Sequence, residues 1–175
     1  MRAEGALVIS GMFVYIFGSP FVFMEIHGVR PDHYGWLFGL NALGLIVASQ
    51  LNRALLRRVA ETGILSRALV VTAAAGVLLL AAAWSGWGGL AGLLLPLFLY
   101  ISSLGFVLPN VVAAALAPQG GNAGSASALL GTVQFGAGAA VGTLLGALGN
   151  GTAVPMAGLI AACGLSALAV HRLAA

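Results

Sequence analysis

The sequence predicts an all-α polytopic membrane protein: six transmembrane helices in a three-plus-three inverted repeat, forming one bundle over residues 1–175. Three observations predict it. First, the chain is 61% hydrophobic and 6% charged, against about 25% charged in globular proteins. Second, charge-poor runs of about 20 residues, the length a helix needs to cross a hydrocarbon layer of about 30 Å, fill nearly the whole sequence. Third, the first and fourth runs both carry helix breakers, and these two runs hold corresponding places in two groups of three.

The runs assigned as helices are 6–26, 35–56, 67–84, 90–116, 125–148 and 153–171. The first follows Arg2 and imitates a signal peptide, but about 20 apolar residues exceed the usual signal core of about 7 to 15 and no small-x-small cleavage site follows, so it reads as a retained span. It contains Gly18, Ser19 and Pro20. The second and third spans contain no proline, and Asn41 is an amide inside the second. The fourth contains Pro96, Gly105 and Pro109. The fifth carries Gly138, Gly142 and Gly146 at four-residue spacing, two overlapping GxxxG units that let backbones approach closely, with Gln134 on nearly the same face. The sixth holds Cys163, the single cysteine, which leaves neither a disulfide nor a CxxC metal site. Short connections rich in Gly, Pro or charge join the spans: HGVRPDHY, RRVAETGILS, SGWGG, PQGGNAG and NGT.

Charge and aromatic residues orient the bundle independently. Arg53, Arg57, Arg58 and Arg67 surround the second connection, and excess arginine marks the cytoplasmic side, so both termini are expected there, with Arg2 and Arg172 in agreement. Trp36, Trp84 and Trp87, with Tyr34, then fall at the opposite face as an interfacial belt. The basic balance itself does not point to nucleic acid, since the seven basic residues, all arginines, sit in loops with no basic face among them.

An irregular span is costly in lipid unless freed backbone groups meet protein or a water-filled cavity. The first and fourth spans are therefore expected to face inward. At helical spacing Gly11, Tyr15 and Ser19 share one face of the first, and Pro96, Tyr100, Ser103, Val107 and Asn110 one face of the fourth. Either these stripes line a polar cavity, or their hydroxyls bond neighbouring helices and only pack the bundle. The matched placement favours a substrate cavity of Tyr15, Ser19, Tyr100 and Ser103. Pro109 removes a donor and crowds the Gly105 carbonyl, which predicts a kink near the inner end of the fourth span, with Pro109 and Asn110 as an inner gate. Asn41 and Gln134 read as interhelical glue beside the Gly138, Gly142, Gly146 interface.

The acids Glu4, Glu25, Asp32 and Glu61 all avoid mid-membrane positions. Glu25, in the last turn of the first span, is the nearest to an outer-mouth contact for an ion or proton. Asp32 reads as a helix N-cap. Glu25, His27, Asp32 and His33 match no standard zinc spacing, so no metal or other cofactor is expected. Ser125 and His171 invite comparison with a serine hydrolase, but both lie at span ends without an oxyanion-stabilising constellation, so no enzyme is expected. Ser125 reads as a helix-start residue, and His171 as a helix-end cation beside Arg172.

Residues 19–52, SPFVFMEIHGVRPDHYGWLFGLNALGLIVASQLN, and 105–135, GFVLPNVVAAALAPQGGNAGSASALLGTVQF, closely resemble the carboxy-terminal half of Bcr/CflA-type drug:proton antiporters of the major facilitator superfamily. NRALLRR at 52–58 resembles a degenerate second copy of that superfamily's basic loop motif, without its acidic partner. The resemblance implies half of a major facilitator fold in a bacterial inner membrane. It also implies export of small hydrophobic antibiotics in exchange for protons, with first and fourth helices at the cavity and second and fifth against the other half. Family members have twelve spans and this chain has six, so the expected partner is a missing amino-terminal six-helix half or a second copy, and a fragment inactive alone is favoured. The alternative is a non-transporting six-helix module that binds a partner protein through its glycine-rich fifth span.

Overall fold

A computed structural model describes residues 3–116 and 123–174. Arg2 and most of the PQGGNAG connection lie outside the described residues. The chain forms α1 (Ala3–Pro20), a π-helical turn (Phe21–Ile26), α2 (Pro31–Leu55), α3 (Glu61–Ser85), α4 (Gly89–Leu116), α5 (Ala123–Ala147) and α6 (Val154–Ala174). Six helices are long and apolar enough to cross a membrane, with mean hydropathy from 1.3 to 2.2. The described chain is that of a multi-pass membrane protein.

Each expected span has its helix, and the differences lie at the ends. α2 starts at Pro31 rather than 35, because an extended Arg30 (φ −65°, ψ 145°) leads into a proline whose fixed φ suits the first helical position. Arg30 therefore takes the N-cap position expected for Asp32. Asp32 sits inside the first turn and pairs with Arg30 at 3.0 Å, both exposed. α3 starts at Glu61 rather than 67, and its acidic first residue complements the positive end of the helix. α3 stops at Gly86, whose φ of +66° is the left-handed conformation that a side chain disfavours, and whose N–H closes on the Ala82 carbonyl.

The two proline-bearing spans behave differently. Pro20 brings no N–H to the helix ladder. Directly after it the backbone widens into π geometry, closed by the His27 N–H on the Val22 carbonyl at 3.3 Å. In α4, by contrast, the helix continues through both Pro96 and Pro109.

Packing follows an exchange between the two triplets. α1 packs on α6 and α5, whereas α4 packs on α3 and α2, and α3 meets α6. Swapping α1 with α4, α2 with α5 and α3 with α6 maps this pattern onto itself, as the three-plus-three repeat requires and as half of a major facilitator fold presents it. The core between α1, α3, α4 and α6 is filled by fully buried Phe23, Leu65, Leu69, Tyr100, Leu104 and Ile160. Isolated glycines set the closest approaches. A Cβ on Gly105 would lie 2.8 Å from the Ser49 nitrogen of α2, and one on Gly76 would lie 3.0 Å from the Ala161 Cα of α6. Outside, Trp36, Trp84 and Trp87 are about 80% exposed at one end of the bundle, and Arg53, Arg57, Arg58 and Arg67 are exposed at the other.

Candidate functional site

The polar stripes of α1 and α4 point into the bundle, and each finds its partners on a different helix. Tyr15 turns toward α2. Its hydroxyl accepts from the Asn41 side-chain amide at 3.2 Å, and its ring stacks on Phe38 with centroids 5.5 Å apart. Asn41 donates as well to the Leu37 carbonyl one turn back in α2 at 3.2 Å, which orients the amide that ties α2 to Tyr15 of α1. One turn further along α1, the Ser19 and Tyr34 hydroxyls lie 2.9 Å apart. Tyr34 is thus tied to α1 as well as standing near the tryptophan end.

On α4 the same stripe fans out. The Ser103 hydroxyl lies 2.6 Å from the Tyr100 carbonyl and 2.7 Å from the Thr72 hydroxyl of α3, which also lies 2.8 Å from the Ala68 carbonyl. Two hydroxyl protons serve three contacts, so one of them is always unfilled. Asn110 and Asn52 exchange amide bonds at 3.1 and 3.3 Å, joining α4 to the last turn of α2, and Asn110 donates also to the Phe106 carbonyl at 2.8 Å. Pro109 beside it is exposed. Tyr100 stands apart, because its buried hydroxyl has no hydrogen-bond partner among the described residues. It packs against Gly11 of α1, where a Cβ would collide with it, and near Cys163 of α6.

Among the clefts on the described bundle are three of about 300 to 340 Å³, and of the four side chains expected to form a substrate cavity Ser103 lines one of these three while Tyr15, Ser19 and Tyr100 line none of them. Glu25 is exposed on the π-helical turn. Along α5, Gly138 packs on the Phe13 ring and Gly142 on the Phe17 ring of α1, while nothing lies within 4 Å of a Cβ on Gly146. Gln134 is half-buried.

Sequence reasoning missed four partners. Asn52, within the expected second span where the arginine cluster begins, is a buried residue of the last turn of α2, and Thr72 is the buried hydroxyl that meets Ser103. Glu4 and His171, read separately as terminal charges, meet inside the bundle with His171 Nδ1 3.5 Å from the Glu4 carboxylate. The signal for all four is the same: an isolated polar side chain within a charge-poor helix demands a partner.

No family model matches the chain. An uncharacterized MFS-type transporter of Bacillus subtilis, YdgK, is 37% identical over 150 residues, which is 86% of this chain and 37% of the relative. The chain is homologous to MFS-type transporters. A bicyclomycin resistance protein homologue of Haemophilus influenzae is 29% identical over 153 residues, 87% of this chain and 38% of that protein. The chain thus spans less than two fifths of the length of either relative. No solved structure matches it. The exchange of helices between triplets gives the MFS likeness a physical counterpart: α1 and α4 lie at the centre of the packing, and α2 and α5 are the least buried.

Proposed function

We propose that the chain is the carboxy-terminal half of a multidrug efflux transporter that exports small hydrophobic antibiotics in exchange for protons, and that it is inactive without a second six-helix half. The observation that carries this reading is the 37% identity to an MFS-type transporter across 86% of the chain, joined to likeness with a protein named for bicyclomycin resistance. Alternating access is served by irregular central helices; the π-helical end of α1 is one, and α4 carries two prolines within a continuous helix.

Within this reading the cavity residues change their bonds during transport. Tyr15, Ser19 and Ser103 hold neighbouring helices in the described state, and drug reaches them as α1 and α4 move. Tyr100 is the strongest drug contact, since its hydroxyl has no competing partner to release. Asn110, exchanging bonds with Asn52 beside Pro109, is the inner gate. Glu25 is the outer-mouth carboxylate. Among the described residues the acids lie toward helix ends, so the coupling carboxylate belongs to the other half. The membrane is the bacterial inner membrane, with both termini in the cytoplasm.

The test joins this chain to the amino-terminal half of a homologous transporter in an efflux-deficient host. Restored drug resistance, reduced by Tyr100→Ala at unchanged membrane insertion, is the expected result. Failure of all such fusions despite normal insertion counts decisively against it. A second reading has its own observation: α5 is the least buried helix of the bundle, as a partner-binding face would be. Crosslinking in membranes to a stable partner unrelated to transporters favours that reading.

A further inference from the structure

Two of the clefts adjoin along the outer face of α4. One, of about 340 Å³, lies between the α2–α3 corner and α4 and is walled by Ile64, Arg67, Val71 and Leu99. The other, of about 330 Å³, lies between α2 and α4 and is walled by Leu51 and Phe98 among others. Both share Ser102 and Phe106, so together they form a two-lobed groove that runs from mid-helix toward the arginine end of the bundle. The lining is almost wholly apolar, with three exceptions, of which Ser103 is already engaged with Thr72 and the Tyr100 carbonyl. Arg67 stands on the wall toward the end where Arg53, Arg57 and Arg58 also gather. Ser102, shared by both lobes, has a hydroxyl sealed from solvent with no hydrogen-bond partner among the described residues. Among the described residues no carboxylate pairs with any of these four arginines.

We propose that this groove is a binding site for an anionic phospholipid of the surrounding bilayer, with its acyl chains along the two apolar lobes and its phosphate on Arg67. Charge decides the occupant. A basic pocket between helices at the headgroup level of a membrane selects an acidic headgroup, and the hydrocarbon depth of the groove excludes a soluble anion. The long arginine side chain reaches the headgroup layer from the second turn of α3 while its methylenes stay against apolar surface. A bound lipid of this kind fastens the α2–α3 corner to α4 beside the Asn52–Asn110 bonds and so biases the position of α4.

The purified chain is reconstituted in phosphatidylcholine vesicles doped with spin-labelled phosphatidylglycerol or, separately, spin-labelled phosphatidylcholine, and the motionally restricted fraction of each label is measured. A preference for phosphatidylglycerol of about fivefold is expected for one well-placed arginine. Arg67→Gln and Val71→Trp, the second plugging the groove from a residue that is 46% exposed, abolish the preference, and Arg58→Gln leaves it. Persistence of the preference with the groove plugged, or equal loss in Arg58→Gln, overturns the proposal in favour of loop charge alone. Equal restriction of both lipids by the unmodified chain overturns it as well.

Discussion

Tyr100 and Tyr15 are the same residue type on equivalent helices, yet one hydroxyl has no partner and the other receives an amide. Their removal therefore has opposite signs. An interhelical hydrogen bond in a membrane protein is worth about 0.6 kcal/mol, so Tyr15→Phe is expected to destabilise the chain by roughly that amount. A buried polar atom without a partner costs about 1 kcal/mol or more, so Tyr100→Phe is expected to stabilise it on that order. Unfolding of both variants in mixed micelles measures the difference, and equal destabilisation contradicts the assignment. The polarity of Tyr15, Ser19, Ser103 and Asn110 was legible because these side chains interrupt apolar helices. Their partners were not legible. Asn52 and Asn110 stand 58 positions apart, and only the relative register of two packed helices brings them together.

For the helices, length and number could be read from hydropathy, since the membrane solvent imposes one requirement on every span. The ends could not, because the interfacial turns at Pro31 and Glu61 are helical without being apolar. Glycine gives a sharper lesson. The regular run at Gly138, Gly142 and Gly146 was expected to make the close interface, and two of its members do meet α1 through aromatic rings. Backbone against backbone, however, the tight approaches are at Gly105 against α2, and at Gly76 with Gly164 between α3 and α6. A repeat advertises a smooth helix face, whereas the backbones here meet at glycines that belong to no repeat. Gly76→Ala drives a methyl onto the Ala161 backbone and is expected to cost about 1 to 3 kcal/mol, as overpacking does. Gly146→Ala meets open space and is expected to change stability by less than about 0.5 kcal/mol. The same unfolding measurement ranks them, and a larger cost at Gly146 refutes the ranking.

Across the whole molecule, tryptophans at one end and arginines at the other set the expected orientation. Cysteines placed at Gly88 and Ala60 test it in intact cells, with Gly88→Cys expected to react with an impermeant maleimide and Ala60→Cys only after permeabilisation. Buried Cys163 keeps the background low. The opposite labelling pattern inverts the topology. Paired breakers in the first and fourth spans hinted at a repeat, but the exchange of partners between its halves is a matter of contacts between distant segments and leaves no local trace. That exchange dictates a timetable. The helices that enclose α1 are α5 and α6, the last to be made, so at about 5 to 20 residues per second α1 waits on the order of ten seconds for its neighbours. Throughout that interval Glu4, later enclosed beside His171, has no lasting place inside the bundle. Of the described helices, α1 therefore completes its packing only once α6 is in place.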